Sequence, residues 1–81
     1  MENTMTIRAG DVVKHEPTGE TWVVCGVDYK SGGLIPCGYP FPTLGRISDC
    51  ALIRQGSGQS EEMKKSLRDH HLFSFIEEAA P

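Results

Sequence analysis

Six side chains in this 81-residue chain carry metal-binding or nucleophilic chemistry: Cys25, Cys37, Cys50, His15, His70 and His71. A structural zinc site would need four of them to converge, and its usual signature is a close Cys-x-x-Cys pair. No two cysteines stand that close here, so ligands would have to come from separate elements. The plainer reading makes Cys25 and Cys37 small strand residues and packs Cys50 beneath a turn, because a thiol behaves as a small apolar group. A cysteine nucleophile assisted by histidine would need a depressed thiol pKa, which no neighbouring sequence supplies. His15 sits beside a turn, where a hydrogen bond accounts for it. Gly32-Gly33 and Gly56-Ser57-Gly58 lie outside any strand-to-helix phosphate cradle. The expectation is therefore of no catalytic set, no metal and no cofactor.

Contact chemistry is better represented. In Gly38-Tyr39-Pro40-Phe41-Pro42, each proline drives the residue before it toward extended geometry, so two rings sit on a stiff segment. Such a segment is pre-organised for recognition, although the same rings could simply close the end of a barrel. Near the C-terminus, LFSFI at residues 72–76 is apolar, β-prone and uncharged, and leaving it in water would make it adhesive. It either docks on its own domain or pairs with a second copy of the chain. Tyr39, Phe41, Phe73 and Phe75 are accordingly the candidate partner-binding residues.

The elements that must position these residues begin with GDVVKHEPTGETWVVCGV at 10–27. A β-branched run after Gly10, a turn at Pro17-Thr18-Gly19-Glu20 and a second β-rich run from Thr21 read as a hairpin. Strict alternation would put Trp22, Val24 and Gly26 on one face and Thr21, Val23, Cys25 and Val27 on the other. Both faces are largely apolar, which predicts a central strand anchored in the core by the single tryptophan. A third strand at 34–38 is expected at an edge or beside a bulge, because Pro36 has no N–H to donate. A fourth at 43–47, one helical turn started by Ser48 or Asp49, and a last strand at 51–54 complete the series.

Five short strands with that turn before the fifth resemble an SH3-like small barrel. The fold class is mainly β, a five-stranded SH3-like barrel over 1–56, followed over 57–81 by a linker, a helix and an apolar segment. The helix starts at Ser60, with Glu61 and Glu62 in its first turn, packs Met63 and Leu67 on the barrel, and ends or bends near His70-His71.

Composition narrows the partner. Eight Lys and Arg against eleven Asp and Glu give a net charge of −3, so a nucleic-acid coat is not expected. Arg8, Lys14, Lys30, Arg46 and Arg54 are interleaved with Asp11, Glu16, Glu20, Asp28 and Asp49. Three cysteines cannot all pair within one chain, and MENTMTIRAG lacks a signal-peptide apolar region, which points to a reducing, cytoplasmic setting. No apolar run is long enough to span a bilayer, so no membrane partner is expected.

The succession GDVVKHEPTGETWVV, LIPCGYP and RISDCALI resembles a group of small uncharacterised proteins of bacteriophages, prophages and other mobile elements. Those read Gly-Asp-x-Val-x-His-x-Pro-Ser/Thr-Gly-Glu-x-Trp-x-Val, then Cys-Gly-Trp-Pro, then Ser-Asp-Cys-x-Leu. The likeness covers residues 10–53; Tyr39 stands where the group has tryptophan, and Phe-Pro-Thr-Leu follows as an insertion. It implies fold and mobile-element origin but carries no activity.

The leading expectation is a non-catalytic module that binds a protein partner, with an inhibitor of a host defence protein as one role that fits. The alternative is a nucleic-acid-associated barrel with Lys14, Lys30, Arg46 and Arg54 on one face. Less favoured is an oligomeric small-barrel enzyme, since the Val-Gln-Ile-Tyr pore motif of type II dihydrofolate reductases is absent.

Overall fold

The computed structural model describes residues 7–38 and 44–76. Five antiparallel strands form one sheet in the order β4-β3-β2-β1-β5, with β1 at Val12–His15, β2 at Glu20–Asp28, β3 at Gly33–Pro36, β4 at Gly45–Arg46 and β5 at Cys50–Arg54. β2 is central, as the apolar character of both its faces requires, and it pairs along its length with β1 and β3. The two edge strands, β4 and β5, are joined through a single 3-10 turn at Ile47–Asp49 and do not pair with each other. The sheet therefore has the expected strands and the expected turn, but it does not close into a barrel.

Two local expectations are corrected. The 3-10 turn is preceded by Arg46 and has no side-chain cap, so neither Ser48 nor Asp49 starts it. Strict alternation along β2 also fails. Val24 pairs with Pro36 and Gly26 with Ile35, which leaves Cys25 as an extra residue in a bulge. Beyond the bulge the parity is reset, and Val27 joins Trp22 and Val24 in one core while Cys25 joins a different one. The bulge lies opposite Pro36, where the missing N–H interrupts the ladder.

The two cores lie on opposite faces of the sheet. Ile7, Val13, Trp22, Val24, Val27 and Leu34 fill the inner face, with Ile47, Cys50 and Leu52 packed around them. On the outer face, Cys25 and Ile35 meet Leu67 and Phe75. Leu67 belongs to the helix α1, Glu61–Asp69, and Phe75 to a second 3-10 turn, Phe73–Phe75. The helix begins as the sequence dictates: the Met63 N–H donates to Ser60 Oγ at 3.1 Å, and the Ser60 N–H points back at Met63 Sδ at 3.5 Å.

α1 stops where the apolar pattern breaks. The His71 N–H donates to the Arg68 carbonyl at 3.0 Å and the Leu72 N–H to the Leu67 carbonyl at 2.8 Å, the two bonds of a Schellman ending. His71 holds the left-handed position with φ of 61°, a place glycine usually takes. The reversal lets Leu72, Phe75 and Ile76 return to the sheet. Gly26 makes room for them: a Cβ there would stand 2.7 Å from the Phe75 carbonyl oxygen and 2.8 Å from Leu67 Cδ1. Gln59 ties the layers together, donating to the Cys25 carbonyl at 2.8 Å and the Phe75 carbonyl at 3.1 Å. Among the described residues, no helix is long and apolar enough to cross a membrane.

Candidate functional site

The motif HEPTGETW builds a closed local unit at the first hairpin. Val13 and Trp22 are register partners, which sets His15 and Trp22 on the inner face of adjoining strands. Their rings stack with centroids 4.0 Å apart at an interplanar angle of 11°. Thr18 donates its one hydroxyl proton to the His15 carbonyl, leaving the oxygen to accept from His15 Nδ1 at 2.9 Å and from the Glu20 N–H. Trp22 Nε1 donates to Glu20 Oε1 at 3.1 Å. His15, Thr18 and Glu20 are thus engaged in holding the turn and the Trp22 anchor.

Gly10 and Asp11 have a similar duty. Asp11 is buried, and its carboxylate accepts from the N–H groups of Arg8 and Gly56. It clasps the start of β1 to the segment after β5. Gly10, at φ of 92°, passes so close to Gly58 that a Cβ would lie 2.7 Å from its carbonyl oxygen.

The chemistry-bearing residues do not all converge. Cys50 lies on β5, where its thiol donates to the Arg46 carbonyl at 3.3 Å; burial and the nearby Asp49 and Glu16 carboxylates raise its pKa. His70 Nδ1 is engaged with the Ser66 carbonyl at 2.9 Å. No cluster of three metal-ligating side chains forms among the described residues.

Cys25 and Cys37 do meet. Cys37 follows β3, and its N–H donates to the Val23 carbonyl at 2.7 Å, which places it beside the β2 bulge. Both side chains face outward into a cleft of about 280 Å³ between the sheet and α1, bordered by Met63, Ser66, His70 and Leu72. Cys25 is buried on its floor and Cys37 is half-buried. The two thiols act on each other, which raises the pKa of Cys25 and lowers that of Cys37. The sequence hid this pair: eleven residues separate the cysteines, and only the bulge and the register bring them to one side.

The candidate contact residues divide. Phe75 is buried against Cys25, Ile35 and Leu67, so it is core in this chain and offers no free ring. Phe73, two residues earlier, is 58% exposed and edges His71 at 5.9 Å. Tyr39 and Phe41 lie outside the described residues, which resume at Leu44. Leu44 is 67% exposed, and its Cδ1 and Phe75 Cε1 approach the same point above Gly33, to 3.1 and 3.5 Å. Leu44 and the covered Phe75 thus meet above Gly33, and Phe73 is a separate exposed ring beside His71. Val23 and Ile53 are further exposed apolar residues, on β2 and β5.

The cations are spread over the fold. Lys14 is on β1, Lys30 follows β2, Arg46 is on β4 and Arg54 on β5, the opposite edge of the sheet. Compared with family models, curated proteins and solved structures, the chain matches none.

Proposed function

We propose that this chain is a non-catalytic protein-binding module of phage or mobile-element type. The observation that carries the reading is that Leu44 and Phe73 hold large apolar side chains in solvent while Phe75 is buried. Exposed apolar groups grouped on a rigid support are what a protein interface buries first. The sheet supplies that support, and Tyr39 and Phe41 precede Leu44 in the chain. A host protein, including a defence protein, is the class of partner this origin suggests.

The test is comparative capture from a bacterial lysate by the immobilised 81-residue chain and by a Leu44→Ser/Phe73→Ser variant. Both substituted side chains are exposed, so the variant retains the fold and its denaturation midpoint. The reading expects a protein that the parent retains and the variant loses, with Tyr39→Ala weakening retention as well. Capture that is equal for parent and variants, or no capture at all, counts against it.

A further inference from the structure

We propose that the open cavity above Gly33, on the outer face where β3 meets β4, binds a small apolar carboxylate through Arg46. Such an acid can be held whether or not a protein is captured, so the protein-binding reading is not a premise.

Space, charge and an apolar wall coincide there. Ser31, Gly33, Leu44, Arg46 and Ser48 border a cavity of about 410 Å³, a volume that small-ligand pockets commonly have. Its floor is bare because residue 33 is glycine: the Cβ it lacks would stand 3.1 Å from Leu44 Cδ1, 3.4 Å from Ser31 Oγ and 3.5 Å from Phe75 Cε1. Arg46 is the register partner of Gly33, and directly paired residues share a face, so its side chain rises beside that floor. Among the described residues, no carboxylate pairs with its guanidinium. An unpaired guanidinium presents a planar fork that matches a carboxylate. The exposed Leu44 and the edge of the Phe75 ring supply apolar contact next to it.

The surroundings also discriminate among anions. The Gly32 N–H donates to the Asp28 carbonyl and the Ile47 N–H to the Gly32 carbonyl, so these backbone donors are spent. Ser31 donates its hydroxyl proton to Asp28 Oδ2 at 2.9 Å, and that carboxylate repels a second negative charge in the cavity. One guanidinium and the Ser48 hydroxyl therefore suit a monoanion and not a phosphate dianion. Ser31, its proton committed, offers its oxygen as an acceptor. The ligand is thus a monocarboxylate with an apolar group and an N–H or O–H donor. An N-acylated branched amino acid and the C-terminal residue of a peptide both have this chemistry.

The experiment titrates the isotope-labelled 81-residue chain with N-acetyl-leucine and follows the amide and arginine Nε–H resonances. Saturable shifts should be confined to residues 31–33 and 44–48, with Arg46 Nε–H among them. N-acetyl-leucine amide, which lacks only the charge, and inorganic phosphate should each bind at least about tenfold more weakly. Arg46→Gln should weaken N-acetyl-leucine by about the same factor at an unchanged urea midpoint, because the side chain is exposed. A short peptide ending in leucine with a free carboxylate separates the two sources. Tighter binding than N-acetyl-leucine assigns the site to a protein C-terminus, and equal binding assigns it to a free acid. Shifts that do not saturate, or that are the same for acid and amide, overturn the proposal. So does phosphate that binds as well as the acid, or an Arg46→Gln chain that binds like the parent. The comparison of acid with amide is made on the parent, so it decides without any variant.

Discussion

His15 and Trp22 lie face to face because Thr18 fixes one ring and Glu20 the other. Replacing His15 with Ala removes a buried ring from the stack and frees the Trp22 face, and should cost about 1–2 kcal/mol in urea denaturation. Thr18→Val should cost about 1 kcal/mol, and less when His15 is already Ala, because both act on the same ring. The thiols set a pH dependence of stability. With the Cys37 pKa lowered on folding, the unfolded chain holds a proton that the folded chain has released just below the ordinary thiol value of about 8.5. Stability should therefore rise with pH across that window, and be lost as pH falls through the folded Cys37 value. Cys25 and Cys50, raised on folding, act in the opposite sense and make stability fall above it. Urea midpoints measured against pH should pass through a maximum near the ordinary thiol value, and Cys37→Ser should abolish the rising limb.

At the scale of elements, the ending of α1 decides where the C-terminal residues go. His71 holds a left-handed conformation that glycine adopts without steric cost, so His71→Gly should raise stability by about 0.5–1 kcal/mol in thermal or urea unfolding. Ser60→Ala should lower it by about 1 kcal/mol through loss of the Met63 N–H acceptor. Much of this layer was legible in the sequence. Ser60 announced the start of the helix, and the shift of apolar residues from Met63 and Leu67 to Leu72 and Phe75 announced its end. The hairpin was legible for the same reason, since Gly19 and the β-branched runs are local signals. A bulge beside Pro36 was one of two outcomes its missing N–H allowed, the other being an edge position that β3 does not hold; that the extra residue is Cys25 was not legible, because it arises from how β2 meets Pro36 across the sheet. Alternation alone therefore misplaced Val27, and the meeting of Cys25 with Cys37 had no signal of its own. Gln59 was read as linker for the same reason, since its two carbonyl partners come from β2 and from the C-terminal turn.

Taken as a whole, the molecule is a sheet with a core on each face, and its second core depends on residues beyond position 70. An 81-residue chain has little stability to spare. Phe75→Ala should remove about 3–4 kcal/mol in urea denaturation. Burial of Phe75 within the chain also decides which ring remains for a partner: Phe73 is left outside, beside His71. Pairing of a second copy through residues 72–76 would have to compete with the inner contacts these residues already make. The most direct measurement is light scattering combined with urea denaturation on the full chain and on a version ending at His70. If the C-terminal segment is core, the full chain has the mass of a monomer and the shortened one loses several kcal/mol, about what removing a large buried aromatic group costs. A full chain that is a dimer, becoming a monomer of unchanged midpoint on truncation, would contradict the account and make residues 72–76 an interface between copies.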